Sequence, residues 1–190
     1  MRFLKIKLIF LIYIFFISHN AKSEERWILD KELSEIKFEL PVFLAKNVKG
    51  KFNEFEGYVI LDLEKKKNNR AIFSVKIDSI EINYNKYRNL LMSEIFFEEK
   101  NFPIALIDTK KFIFNKEKNI LIDGNLQIKQ FINPQPLSLE LIYLTNNLVQ
   151  LKGFLEFSRT SFEIGKKNWS STAVLKDNIL VNVNLFLKKE

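Results

Sequence analysis

From residue 24 onward the chain alternates apolar and polar positions with a period of two, the signature of strands with one buried and one wet face. The clearest run closes the sequence. In "NILVNVNLFL", Ile179, Val181, Val183, Leu185 and Leu187 share one face, and Asn178, Asn182 and Asn184 share the other. "SEIKFEL" sets Ile36, Phe38 and Leu40 against Glu35, Lys37 and Glu39. "AIFSVKID" sets Phe73, Val75 and Ile77 against Ser74, Lys76 and Asp78. "ILIDGNLQIK" sets Ile120, Ile122, Leu126 and Ile128 against Asp123, Asn125, Gln127 and Lys129. "PLSLELIYL" and "LVQLKGFLEF" add two more, and "GYVILDLE" and "IALIDTKKFIF" fit less regular strands. The pattern predicts eight strands.

Short polar connections, "EKKKNNR" (64–70), "NKEKN" (115–119) and "TNN" (145–147), read as hairpin turns and make neighbours antiparallel. Eight strands greasy on one side pack as two sheets or close into a barrel, and closure also removes exposed edges. The alternation fails from about Asn85 to Lys100. There Tyr87, Leu90, Leu91, Glu94, Ile95 and Glu98 recur at helical spacing, and Leu91, Ile95 and Phe102 can share one stripe. One helix between the third and fourth strands is predicted to cover a barrel end. No repeat or Pro/Gly/Ser linker divides residues 24–190, so one domain is expected.

The first 23 residues stand apart. Arg2, Lys5 and Lys7 precede the unbroken apolar run Leu8–Ile17, and Ala21-Lys22-Ser23 offers small residues at cleavage positions. This is a secretory signal peptide pattern. The run is too short for a span of about 20 apolar residues, so no stable membrane anchor is expected after cleavage near Ser23. The protein is then periplasmic or secreted, with residues 24–190 as its mature domain.

Export changes the charge argument. Four of the 30 basic residues leave with the signal, so 26 face 23 acids, a balance of +3. No basic stripe with interleaved aromatics appears, and no nucleic-acid partner is expected. The only His, His19, leaves too, and the chain has no Cys. A thiolate nucleophile, an imidazole base, a Ser-His triad and the usual zinc ligand sets are excluded from the mature domain. Hydroxyls in "SRTSFE" (Ser158, Thr160, Ser161) lack a base partner in the sequence. No catalytic residue, metal site or cofactor is expected, and stability must come from the core, which at this length buries roughly 70% of the unfolded surface.

Five segments together resemble the YceI-like family. They are "WILDKELSEIKFEL" with Trp27, Asp30, Ser34 and Phe38; "VKGKFNEFEGYVILD" with Val48, Gly50, Phe52, Phe55 and Gly57; "YRNLLMSEIFFEEKNFPIALIDT" with Arg88, Leu91, Phe96, Phe97, Phe102 and Pro103; "GNLQIKQF"; and "FSRTSFEIG" with Arg159 and Phe162. Asn89 stands where an Asp is common, Gln130-Phe131 where Gly-Val is usual, and Glu163 where a Gly follows. The resemblance implies an eight-stranded antiparallel barrel with a lipocalin-like pocket that binds a long isoprenoid or similar amphiphile, usually in the bacterial periplasm. No cofactor is implied beyond such a bound lipid, and a homodimer is compatible with the sequence.

Such a barrel is either just filled by side chains or holds one small ligand. The mature chain keeps 15 of 19 phenylalanines, enough for either. Candidate ligand contacts are Phe38, Phe52, Phe55, Phe73 and Val75 on strands, and Leu91, Ile95, Phe96, Phe97 and Phe102 around the helix. Adjacent residues on a helix point about 100° apart, so Phe96 and Phe97 cannot face the interior equally. Arg88 and Arg159 are costly among apolar residues unless paired. Each is either a structural ion pair, with Asp30 or Glu94, or a clamp for a polar or phosphorylated head group. The expectation is a lipid carrier for transport or storage. Its rivals are a filled-barrel stress-response or interaction protein and an enzyme acting on a prenyl lipid.

Overall fold

A computed structural model describes residues 24–42, 46–62, 68–114 and 117–190. The expected signal peptide lies outside the described residues. Among the described residues ten strands form one sheet: β1 (Glu25–Leu40), β2 (Val48–Phe52), β3 (Phe55–Leu61), β4 (Arg70–Lys76), β5 (Ile80–Ile82), β6 (Ile104–Asp108), β7 (Asn119–Ile128), β8 (Phe131–Thr145), β9 (Leu148–Ser158) and β10 (Asn178–Lys189). Eight of them close a circuit, β1-β3-β4-β6-β7-β8-β9-β10, sealed by antiparallel pairing of β10 with β1 from Trp27↔Lys189 to Glu39↔Leu180. The fold is the expected closed antiparallel barrel.

The two additional strands are continuations of wall strands past a bend. β2 and β3 both pair with β1, on either side of the break at Asn53-Glu54. β4 and β5 flank the 3₁₀ turn Ile77–Ser79. The two bends are tied together, with Asn53 N–H donating to Ser79 O (3.2 Å) and Lys76 N–H to Glu54 O (2.9 Å).

β1 itself carries a bulge, since Asp30 pairs with Phe186 but Glu35 pairs with Asn184. Asp30 Oδ1 accepts from the amides of Glu32 (3.1 Å) and Leu33 (3.3 Å), and Ser34 Oγ accepts from Phe186 N–H at 2.8 Å. Those two polar motif residues knit the bulge. Trp27 and Phe38, at the motif's ends, point inward on either side of it.

The predicted helix is short. A 3₁₀ turn over Asn85–Tyr87 leads into α1 (Arg88–Met92), which stops at Ser93. Ser93 Oγ donates to Leu90 O at 2.6 Å, and Ser93 turns extended. A serine hydroxyl that takes a helix carbonyl competes with the next backbone turn. The chain then folds back irregularly, with Phe97 N–H donating to Leu91 O (3.0 Å).

Two core clusters stack along the barrel. One, around Ile128, Phe157, Phe162 and Ile164, lies at the end beneath α1 and the 159–177 loop. The other, around Trp27, Val59, Ala71 and Leu187, lies at the opposite end. No helix of the described residues is long and apolar enough to cross a membrane.

Candidate functional site

The inward faces do not meet in the middle. They enclose a hollow of about 230 Å³ that runs from Ile128, Ile164 and Phe96 at the capped end to Trp27, Phe112 and Tyr143 at the other. Along β7 the lining extends from Ile128 back to Ile120, roughly 26 Å of strand at about 3.3 Å per residue. No charged side chain lines it, and only Trp27, Thr109 and Tyr143 among the lining residues carry a polar side-chain atom. Among the described residues no group of acids, His or Cys could hold a metal ion.

Of the candidate contacts, Phe38, Phe52, Phe73, Val75, Leu91, Phe96 and Phe97 line the hollow. Phe96 and Phe97 do so together because α1 ends before them, so the 100° divergence of a continuous helix does not apply. Phe96 is buried and stacks edge-on against Trp169, centroids 5.8 Å apart. Three candidates are not lining residues. Phe55 is buried among Trp27, Val59 and Ala71, Ile95 supports the cap, and Phe102 follows the turn beyond it. The Ile95 carbonyl accepts from both Gly165 and Lys166 amides at 2.9 Å, which joins the two loops of the cap.

Neither arginine reaches the hollow. Arg88 Nη2 donates to the Asp78 carbonyl. Arg159 has 0% exposure, and its guanidinium is satisfied by backbone. Nη1 donates to Ile164 O (2.8 Å), Nη2 to Leu175 O (2.8 Å) and Nε to Lys176 O (3.0 Å), with longer contacts to Gly165 and Ser171 carbonyls. Burial lowers its pKa from the ordinary value, opposed by the Asp177 carboxylate. Among the described residues neither arginine pairs with Asp30 or Glu94. Asp30 is engaged by Lys188 across the β1–β10 seam. For Arg159 five carbonyls use up the planar fork and leave no donor for a head group. Arg159 is the keystone of the cap loop.

Glu163, where the family resemblance places glycine, sits at φ +51°, the left-handed region glycine favours. Its carbonyl accepts from Lys129 Nζ at 2.8 Å. Lys129 was expected on the wet face of β7. It instead occupies the β7–β8 turn at φ +55°, is buried, and has its pKa lowered by that burial and by Lys166. The hydroxyls of Ser158, Thr160 and Ser161 bond to one another at 3.0–3.1 Å and cap the turn after β9.

The opposite end is different. β6 pairs with β7 only from Leu106↔Gln127 to Asp108↔Asn125, whereas β7 continues against β8 to Asn119↔Glu140. Residues 119–124 of β7 therefore have no ladder partner on the β6 side among the described residues. The chain after Asp108 turns toward β4 instead of extending as "TKKFIF" suggested. Thr109 N–H donates to Ala71 O (3.0 Å) and Phe112 N–H to Asn69 O (2.9 Å), while Asn69 Nδ2 returns to Phe112 O (3.1 Å). The slit is this gap in the β6–β7 ladder among the described residues. Ile120, Ile122 and Phe112 flank it half-buried, and Tyr143 is a lining residue with 54% exposure.

The three polar lining residues all lie at this end, and the sequence reading did not single out any of them as a contact. Their phase gave the signal. Thr109 is in step with Ala105 and Ile107, and Tyr143 with Leu137, Leu139 and Leu141. Trp27 is in step with Leu29, but the bulge separates that pair from Ile36.

A family profile for the YceI-like domain matches residues 27–187. No curated protein sequence matches the chain. Among solved structures, BcnA of Burkholderia cenocepacia superposes with a TM-score of 0.75 at 18% identity, over 83% of this chain and 98% of that one. A polyisoprenoid-binding domain from Saccharophagus degradans, implicated in plant cell wall breakdown, gives 0.68 at 13% identity, over 86% and 98%. The YceI protein of Campylobacter jejuni gives 0.65 at 21% identity, over 79% and 89%.

Proposed function

Because the chain belongs to the YceI-like family, we propose that it is an exported carrier that holds a long-chain, isoprenoid-type amphiphile in the barrel and shields it from water for transport or storage. The observation that carries this reading is the enclosed hollow whose wall bears no charge. An isoprenoid chain offers only apolar contact, and each buried CH₂ contributes about 0.8 kcal/mol, so tight binding needs no charged partner. A volume of about 230 Å³ is below the ~300–1,000 Å³ of common ligand pockets. The occupant is accordingly slender, threading between the rings of Phe38, Phe52, Phe73, Phe96 and Phe97.

The polyisoprenoid-binding domain among the structural neighbours supports the choice of ligand class. Residues 1–23 are proposed as the export leader and 24–190 as the domain that works in the periplasm. The hollow speaks against a barrel with a solid core. Of the groups that an enzyme on a prenyl lipid would need, the lining offers only Tyr143, so no catalytic step is proposed.

Protein purified without detergent, extracted with organic solvent and analysed by mass spectrometry tests the proposal. A long-chain apolar compound in near-stoichiometric amount is expected. A barrel that is repeatedly empty and takes up no added prenyl lipid overturns it.

A further inference from the structure

Strand residues set the width of a barrel's interior, and residues that enter from a cap set its length. Four lining residues enter from the cap: Leu91, Phe96, Phe97 and Ile164. Leu91 and Phe97 are half-buried, whereas Phe96 and Ile164 are buried, at 3% and 2% exposure. Those two share one core cluster with Ile128 and Phe157 and form the floor of the hollow.

The two floor residues are fixed differently. Ile164 is held by its main chain, whose N–H donates to Arg159 O (3.0 Å) and whose carbonyl accepts from Arg159 Nη1 (2.8 Å). The Phe96 ring leans on Trp169 instead, centroids 5.8 Å apart and planes at 63°, an edge-on arrangement that is attractive beyond the area it buries. Trp169 is not a lining residue. It ends the 3₁₀ turn Lys167–Trp169, and its amide donates to Lys166 O (3.1 Å). The Lys166 amide in turn donates to Ile95 O (2.9 Å), on the residue before Phe96. A circuit is thereby closed from Ile95 through Lys166 and Trp169 to Phe96 and back along the chain. Gly165 lets the loop lie this close. It sits at φ +82°, and a Cβ there would stand 2.7 Å from Arg159 Nη1 and 3.2 Å from Trp169 O.

We infer that Phe96 is the stop that sets how long a chain the barrel holds, and that Trp169 is a positioning residue that keeps the Phe96 ring in the path of the chain's inner end. This assignment rests on the carrier reading and adds a chain-length limit to it. Each methylene that enters the hollow strengthens binding roughly fourfold, and a methylene that cannot enter adds nothing. Affinity therefore climbs with chain length until the inner end meets the ring, and levels off beyond it. Moving the ring moves that limit, whereas damage to the fold weakens chains of every length alike.

The test measures the affinity of the mature protein for farnesol, geranylgeraniol, geranylfarnesol and solanesol, a series of increasing length. Phe96→Ala moves the limit to a longer alcohol. It binds the first member past the wild-type limit at least about tenfold more tightly than the unmodified protein does, and farnesol within about threefold. Trp169→Ala moves the limit in the same direction and adds nothing in the Phe96→Ala background, because it acts through that ring. Phe96→Leu leaves a smaller void than alanine and also moves the limit outward, so the comparison stands even where Phe96→Ala fails to fold. An affinity that climbs all the way to solanesol in the unmodified protein, a limit that Phe96→Leu leaves in place, equal weakening of all four alcohols, or a Trp169→Ala shift that persists without the Phe96 ring overturns the assignment and leaves the carrier reading intact. Uptake of none of the alcohols overturns the carrier reading, and the assignment with it.

Discussion

Gly57 faces Phe73 directly across the β3–β4 ladder, and the ring covers it so closely that a Cβ at position 57 would lie 2.2 Å from Phe73 Cδ1. The missing side chain lets a phenylalanine lie against the wall instead of crossing the lumen. Gly50 does the same for Phe38, whose Cζ would be 2.5 Å from an added Cβ. Two aromatic rings are kept in a hollow barrel by two glycines. Gly57→Ala forces Phe73 off the wall, so it is expected to lower stability by about 1–3 kcal/mol, the usual cost of overpacking, and to weaken prenyl-probe binding at the same time. Urea unfolding and a fluorescent-probe titration read the two effects separately. An unchanged affinity would mean that Phe73 does not border the bound chain.

Arg159 holds the cap by satisfying backbone carbonyls from residues 164 to 176. Arg159→Met leaves those acceptors buried and unpaired at about 1–3 kcal/mol each before relaxation, so a loss of several kcal/mol is expected. Arg159→Lys recovers little, because a single ammonium cannot span the positions that a planar fork reaches. Chemical denaturation of both variants checks this. A fully stable lysine variant would show that charge alone, and not the fork, organises the loop.

Acid sensitivity follows from the loop beside the slit. Asp108 accepts from Arg70 Nε (3.0 Å) and from the Lys110 amide (2.9 Å), and the Arg70 hydrogen bond holds its pKa below the ordinary 3.8. A carboxylate depressed in the folded state contributes stability that is complete above about pH 4 and is lost as pH falls through the lower folded value. Arg70 is half exposed, so the pair contributes well under about 1 kcal/mol. Asp108→Asn should lower Tm slightly at pH 6, and its Tm should fall less steeply than wild type's below about pH 4. Parallel acid limbs in the two proteins would contradict the assignment.

The slit predicts a boundary within one strand. Amides of residues 119–124 in β7 have pairing on the β8 side alone, whereas residues 125–127 are paired on both sides. Hydrogen exchange is governed by the free energy of local opening. Peptides covering 119–124 should exchange at least about tenfold faster than those covering 125–128. Uniform protection along β7 would mean that the wall is closed there.

Much of this was legible in the amino-acid pattern. The alternation of β10 names its inward residues without help, since Ile179 to Leu187 face in at every second position. The pattern loses phase where backbone geometry intervenes. Leu29 and Ile36 both point inward although they are an odd number of residues apart, because the β1 bulge inserts extra residues between them. Leu91, Ile95 and Phe102 looked like one helical stripe, yet Ser93 ends the helix, and of the three only Leu91 lines the hollow. The partners of Arg159 were not legible, because they are carbonyls of a loop with no periodic signal. β6 stops early because Asn69 and Thr109 draw the chain sideways, a tertiary effect that "IALIDTKKFIF" does not encode.

The central claim is that the hollow is an occupied binding space. A crystal structure of protein isolated without delipidation tests it most directly. The account predicts continuous elongated density from Phe96 and Phe97 to Trp27. Side chains interdigitated through the whole interior, with no space for a hydrocarbon tail, would contradict it.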